Sequence, residues 1–310
     1  MILSEGYIKQ ICSGHVKWSE DLLVVKLEHG SMAFIYEVTA GESSFIFKAY
    51  PVSRQSVAKK EFDVLKQAGQ FPVKIPKVIA NGVTDNFSYI IYEKIPGESL
   101  DFPLVSDKNK QIISQQIADN LHQISQIQFE TAGCGSLTED EPAYDSWKEF
   151  LQKNIASGLE NLKKFDSDNT FPLNVIERFM YEFLNSYKED NCGLVWSDFS
   201  QENIIVADNN LTGFIDFEGC FYGDPMLSLG YLYAKEGDSE FFKAIKSGIK
   251  SFTKTPDNAI CFYALLRLLR ISKYLSEPLP AGQTREPVLN YFKGLQETFK
   301  FIERNQNLMI

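Results

Sequence analysis

Histidine and basic charge are scarce in this chain. It has three histidines, His15, His29 and His122, and they form no cluster; a zinc site built on imidazoles is therefore not expected. The five cysteines (Cys12, Cys134, Cys192, Cys220 and Cys261) are odd in number and lack metal-ligand spacing. They read as reduced thiols of a cytoplasmic protein rather than a disulfide framework. With 31 Lys and Arg against 41 Asp and Glu, the formal net charge is −10. That balance argues against nucleic acid as a partner, because phosphate backbones demand clustered cations. The longest apolar run, Ala259–Leu266, stops at Arg267 and is far too short to span a bilayer, so no membrane partner is expected. No basic stretch followed by an apolar core opens the chain, so no signal peptide is visible. Internal repeats and low-complexity tracts are absent as well.

What is present is an ordinary folded composition, 44% hydrophobic and 23% charged over 310 residues, enough for two lobes with cores of their own. The most informative stretch runs from Leu194 to Tyr231. Leu194-Val195-Trp196 reads as an apolar strand that delivers Asp198 into a loop. Asn203 follows at the mouth of a second strand, Ile204-Ile205-Val206. Asp208-Asn209-Asn210 has hairpin-turn chemistry, because these residues tolerate turn dihedrals. The returning strand Leu211–Ile215 ends at Asp216. The hairpin thus brings Asn203 and Asp216 to one end of a small sheet, beside Asp198.

These three residue types suit a phosphate donor that travels with magnesium. That ion prefers hard oxygen ligands and takes few of them from protein. One carboxylate (Asp216) and one amide oxygen (Asn203) meet the need, while a metal-free carboxylate (Asp198) orients an acceptor hydroxyl and takes its proton. In a loose phosphoryl transition state the proton leaves late and positioning dominates. The spacing is that of the protein-kinase-like catalytic loop, an Asp, then an Asn, then Asp-Phe.

Trp196-Ser197-Asp198-Phe199 with Asn203, Phe214-Ile215-Asp216-Phe217 and Gly223-Asp224-Pro225 together resemble the signature of the aminoglycoside phosphotransferase/choline kinase family. The resemblance implies an α+β, protein-kinase-like two-lobed fold. Residues 1–95 would form a small β-sheet lobe with one helix that binds the nucleotide, and residues 96–310 a larger, mainly helical catalytic and substrate-binding lobe. It also implies Asp198 as catalytic base, Asn203 and Asp216 as magnesium ligands, and a structural role for Asp224-Pro225. The family's usual His-Gly before the catalytic Asp is here Trp196-Ser197, which implies altered packing. Asp216-Phe217-Glu218 lacks a third-position Gly, and Asp224 follows too soon for a long activation segment. A regulated protein kinase is disfavoured.

In the first lobe, Leu22–Glu28 and Phe34–Val38 read as strands flanking the turn 29–33. In the family that turn covers the nucleotide phosphates through backbone N–H groups, here around Ser31; taken alone it reads as a plain hairpin, and the catalytic cluster downstream turns the reading towards the phosphate-covering role. Phe45–Tyr50 alternates so that Ile46, Lys48 and Tyr50 share a face. An ammonium in an apolar strand needs a partner, and Lys48 resembles the family's phosphate-binding Lys; the alternative is a snorkelling edge-strand Lys. Ser56–Ala68 has a helical apolar stripe and a Gly69 stop. Its Glu61 resembles the Glu that pairs with that Lys, although Lys60 or Lys66 could partner it at the surface. Tyr89–Gly97 resembles the lobe connector, in which backbone groups of Glu93 and Ile95 would hold the purine, leaving ATP or GTP open.

The second lobe reads as helices over Lys110–Ile127, Asp145–Leu162, Leu173–Tyr187, Pro225–Tyr233, Ser239–Ser251, Asn258–Ser276 and Glu286–Glu303. His122 reads as a structural histidine with a buried partner. Asp140, Glu141, Asp145, Glu236, Asp238 and Glu240 are substrate-amine candidates or plain solvating charges. Arg267 and Arg270 either pair with buried carboxylates or bind an anionic substrate group. The reading as a whole is an ATP- or GTP- and magnesium-dependent O-phosphotransferase acting on a small-molecule hydroxyl. Aminoglycoside-type antibiotics lead as substrates, and an acidic enzyme suits such cations. Choline, homoserine or a sugar derivative is the nearest alternative, and a non-catalytic nucleotide-binding module the rival from another class.

Overall fold

Nine consecutive residues of the third strand, Ser43–Pro51, include one charged side chain, and the strand is buried on both faces through its middle. A continuous apolar run of this kind signals a central, covered strand. The computed structural model, which describes residues 3–15, 22–27, 33–129, 133–138, 143–165, 172–188, 192–249 and 257–273, shows how. Helix α1 (Glu5–His15) precedes an antiparallel sheet of β1 (Leu23–Leu27), β2 (Phe34–Ala40), β3 (Ser43–Pro51), β4 (Val78–Val83) and β5 (Phe87–Glu93). The strand order is β1-β2-β3-β5-β4, and α2 (Gln55–Ala68) follows β3.

The two sheet faces have different partners. Phe47 and Ala49 of β3 point to one side and join Tyr36, Val38, Phe87, Tyr89 and Ile91, with Ile8 and Cys12 of α1 closing the cluster. Ile46, Lys48 and Tyr50 point to the other side, where Lys48 meets Glu61 of α2. Complete burial of such a Phe or Ile side chain contributes about 1.5–3 kcal/mol. One helix was expected in this region; α1 is a second, and it is what covers the Phe47 face. Residues 28–32 of the expected turn, Ser31 among them, lie outside the described residues, as do Asp140, Glu141 and the helix expected at Glu286–Glu303.

The chain divides into two compact units. The first holds residues 1–100, 137–141 and 202–220. Besides the five-stranded sheet it contains β6 (Glu98–Ser99), β9 (Ile204–Ala207) and β10 (Asn210–Phe214), ordered β10-β9-β6. Gly97, at φ 120°, opens β6 where a Cβ would lie 2.3 Å from the Val206 carbonyl oxygen, so only glycine fits. The second unit carries α3 (Asp107–Ser125), β7 (Gly135–Ser136), α4 (Trp147–Phe165), α5 (Leu173–Ser186) and β8 (Gly193–Trp196). There follow β11 (Cys220–Gly223), α6 (Met226–Glu236), α7 (Glu240–Gly248) and α8 (Asp257–Ile271).

In the second unit α8 is the hub, with Ala259–Leu266, Leu268 and Leu269 all buried. A helix apolar on nearly every side belongs inside a domain. It crosses α6 where Gly230 sits so tightly that a Cβ would lie 2.2 Å from the Tyr263 Cβ. Among the described residues no helix is long and apolar enough to cross a membrane. The architecture is α+β, with an antiparallel sheet in the N-terminal part and a larger helical part.

Candidate active site

Lys48 is 3% exposed, and carboxylates surround its ammonium. It lies 2.8 Å from Asp216 Oδ1, 3.1 Å from Glu61 Oε2 and 3.5 Å from Glu218 Oε2. Burial pushes the ammonium down, but Glu61, Asp216 and the rest of this polar set outweigh it and hold Lys48 well above the usual lysine range. It is therefore protonated at neutral pH. The neighbouring Asp63 is exposed and pairs with Lys59 at 3.3 Å. Helix phase alone separates the two acids of α2, one facing the sheet and one facing water.

Glu61 is the most heavily partnered of the carboxylates. It accepts from Lys48, from the Phe217 backbone N–H at 3.1 Å and from the Tyr50 hydroxyl. Burial raises its carboxyl above the ordinary range, against the opposing pull of Lys48. Tyr50 is raised well above an ordinary phenol, first by burial and then by Glu61, so it remains a hydrogen-bond donor. Arg54 extends the network, 3.3 Å from Glu218 and over the Tyr50 ring at 5.7 Å. Sequence reasoning assigned no role to Tyr50, Arg54 or Glu218. The signal for Tyr50 was its shared strand face with Lys48; the signal for Glu218 was the missing glycine after Asp216-Phe217.

The β9–β10 hairpin places the metal-ligand candidates. Asp208 and Asn209 fill a two-residue turn with φ of 49° and 61°, the left-handed pair that hairpins with right-handed strand twist require. Beyond the open end of the hairpin, Ile215 N–H donates to the Asn203 carbonyl at 2.9 Å. Asn203 and Asp216 are thus held at the same end. Asp216 has φ 63°, a conformation that costs non-glycine residues about 1–3 kcal/mol and recurs at functional sites. Glu61, Asp216 and Glu218 bring ligand atoms within 4.8 Å of one another, three carboxylates against the two cations Lys48 and Arg54. The surplus negative charge, with the Asp216 side chain 32% exposed, suits a hard cation.

Asp198 lies in the second unit, just beyond β8. Ser197 and Phe199 on either side are buried, and Asp198 itself is half-buried. Trp196, in place of a smaller residue, is 1% exposed and stacks obliquely on Phe199 at 5.5 Å. Its carbonyl accepts from Ser228 Oγ at 2.8 Å. Arg267 reaches the Ser197 carbonyl at 3.4 Å while lying over the Tyr231 ring at 4.7 Å. Asp224 accepts from Tyr263 at 2.7 Å, Tyr187 at 3.1 Å and Met226 N–H at 2.9 Å, so it organises the start of α6.

Several other candidates have partners that fix their role. Arg270 donates to Asn154 Oδ1 at 2.6 Å and lies over Phe150 and Phe221, a packing role rather than a substrate contact. His122, expected beside a buried partner, is exposed on α3. Glu240 pairs with Lys110 at 2.9 Å and Glu236 accepts from Gln201 at 3.1 Å; Asp145 and Asp238 are exposed. At the connector, Glu93 N–H donates to Lys77 and Lys94 N–H to Ser44. Glu93 is exposed there, and Ile95 is half-buried.

Residues 25–253 match the phosphotransferase enzyme family. No curated protein matches the chain by sequence. Among solved structures, a thermostable aminoglycoside phosphotransferase APH(4)-Ia in complex with ADP and hygromycin B is 13% identical with a TM-score of 0.73, covering 95% of this chain and 97% of that one. APH(2'')-IIa in a ternary complex with streptomycin and ATP is 19% identical, with a TM-score of 0.64 and 97% coverage of each chain. A putative fructosamine-3-kinase from Haemophilus somnus is 17% identical, with a TM-score of 0.66 and coverage of 94% and 96%. At these identities the likeness is one of fold.

Proposed function

Because the chain belongs to the phosphotransferase enzyme family, we propose that it is a kinase moving the γ-phosphate of ATP to a hydroxyl of a small molecule. The observation that carries this reading is the network of Lys48, Glu61 and Asp216, in which Asp216 meets Lys48 from 168 residues away. A protonated Lys48, steadied by Glu61, holds the α- and β-phosphates. Backbone groups of Glu93 and Ile95 take the purine, and the turn around Ser31 covers the phosphates. ATP is the donor we favour, because similar structures hold ADP or ATP; GTP has no such support.

Asn203 and Asp216 would hold magnesium, which when bound neutralises charge on the transferred phosphoryl group. The carboxylate surplus around Lys48 is the donor chemistry that fits it. Asp198 orients the acceptor hydroxyl and receives its proton as the oxygen–phosphorus bond forms. Positioning supplies most of the acceleration, since little covalent work falls to the protein. In this division of labour residues 1–95 serve the nucleotide, and residues 96–310 supply the catalytic base and the acceptor pocket.

Aminoglycosides are the leading acceptor class, supported by two of the similar structures and by the net charge of −10. An amine-bearing sugar derivative is the second reading, favoured by the fructosamine-kinase likeness. The deciding experiment measures ATP turnover with magnesium across aminoglycosides, fructosamines, choline, homoserine and simple sugars. Acceptor-stimulated ADP release, abolished by Asp198→Ala, supports the kinase and names its substrate class. ATP binding without stimulation by any acceptor favours a non-catalytic nucleotide-binding module instead.

A further inference from the structure

We propose that Cys134 and Cys192 are a redox modification site, closing to an intramolecular disulfide when the protein meets a peroxide. Their sulfurs lie 3.6 Å apart although the residues are 58 positions apart in the chain. A disulfide needs its sulfurs about 2.05 Å apart, so closure is a movement of about 1.5 Å, within the reach of small side-chain rotations. Both residues are anchored through their backbones. Cys134 exchanges hydrogen bonds with Tyr144 at 2.8 and 3.0 Å. The Cys192 carbonyl accepts from Gln128 at 3.0 Å, and Leu194 N–H, two residues on, donates to the Ile127 carbonyl at 3.1 Å.

Accessibility divides the labour between the two sulfurs. Cys134 is buried and Cys192 is half-buried, so Cys192 is the one a small oxidant meets first. Its thiolate attacks the peroxide, breaking the O–O bond, and becomes a sulfenic acid while an alcohol or water leaves. Cys134 sulfur then attacks the Cys192 sulfur, forming the S–S bond and expelling hydroxide, which leaves as water with the second thiol proton. Both sulfurs are oxidised by one electron each, and the peroxide is reduced by two. Cys12, Cys220 and Cys261 are buried at 1%, 0% and 2% exposure, which shields them from the same reagent.

The position gives the bond a structural consequence. Cys134 immediately precedes β7 and Cys192 immediately precedes β8, the outer strands of the sheet ordered β7-β11-β8. A cross-link ties those two strand starts together, and β8 runs on to Ser197 and Asp198. The site does not depend on the kinase reading.

Differential alkylation and peptide mapping of the intact protein, before and after hydrogen peroxide, test it directly. Cys134 and Cys192 peptides should appear joined, with a mass loss of about 2 Da for the two hydrogens, and should separate again with dithiothreitol. Cys192→Ser and Cys134→Ser should each abolish the joined species. Full alkylation of both cysteines after oxidation would overturn the proposal. So would Cys192 recovered as sulfinic acid, or linked to a second chain while Cys134 stays a thiol. Should either serine variant fail to fold, the map of the unmodified sequence decides alone.

Discussion

Lys48 and Asp216 are 168 residues apart in the chain, yet Lys48 Nζ donates to Asp216 Oδ1 at 2.8 Å. The contact joins the middle of β3 to the residue just beyond β10. A buried ion pair is weak evidence for stability, because desolvation offsets much of the attraction. This one is better understood as a device for placement. It fixes an ammonium and a partly exposed carboxylate at a spacing that a phosphate and its metal ion can use.

Lys48→Ala should therefore damage nucleotide use far more than fold recognition of the acceptor. We expect kcat/KM for ATP to fall at least 100-fold, about 2.7 kcal/mol of transition-state stabilisation, with the acceptor KM changed by a few-fold at most. Steady-state kinetics with each substrate varied in turn check this. Equal increases in both KM values would place Lys48 outside the nucleotide site.

Tyr50→Phe tests the hydroxyl that Glu61 accepts. Leaving a buried carboxylate one donor short costs about 1–3 kcal/mol, so the thermal midpoint should drop by several degrees. If Glu61 serves Lys48, the ATP KM should also rise while the acceptor KM stays put. A drop in stability with unchanged ATP kinetics would make Tyr50 a packing residue only.

Tyr50 also shows where the sequence was legible. Alternation placed Lys48 and Tyr50 on one face, which follows from local geometry, and the resemblance of Ser56–Ala68 to the family's helix pointed to Glu61. Asp208-Asn209 announced its turn because few residues accept left-handed dihedrals. What Arg54 bonds to was not legible, since Glu218 lies 164 residues further along the chain, and the Tyr50 contact with Glu61 depends on how α2 packs against β3. The covering of the Phe47 face by α1 was likewise hidden, because Glu5–His15 carries only two fully buried residues, Ile8 and Cys12, and so shows a weak stripe. Asp198 and Asn203 were readable as a pattern, because motif spacing survives when packing details change.

Asp216→Asn separates charge from conformation. Asn tolerates the left-handed backbone about as well as Asp, so the variant should keep φ near 63° and fold. Its magnesium requirement should shift to at least tenfold higher concentration, read by titrating turnover against the metal. An unchanged titration would remove Asp216 from the ligand set.

Alkaline pH should destabilise the protein partly through one thiol, Cys12, alongside Cys261 and the buried tyrosines, which burial also raises. Burial pushes Cys12 from an ordinary 9.0 up to about 11, so the folded state keeps a proton that the unfolded chain gives up. Stability from that difference is fully present below pH 9.0 and is lost as pH rises towards 11. One such proton contributes a slope of about 1.4 kcal/mol per pH unit. Cys12→Ala should lower the thermal midpoint at pH 8 through its cavity but flatten the decline between pH 9 and 11. A parallel decline in both proteins would assign the alkaline transition to other groups.

Arg267 is the test of how Asp198 is held where His-Gly is replaced by Trp196-Ser197. Its guanidinium donates to the Ser197 carbonyl at 3.4 Å and rests on Tyr231, so it anchors the residue directly before Asp198, the proposed base. Arg267→Met retains an apolar stem over the ring but loses the donor. If the anchor positions Asp198, kcat should fall about tenfold to 100-fold, the size expected for a misaligned proton acceptor, with ATP affinity within a few-fold. Arg267→Lys keeps a charge and one donor, and should recover part of kcat. A purely structural arginine would instead lower the thermal midpoint and leave the kcat of the folded fraction untouched, so measuring both on each variant separates the two roles.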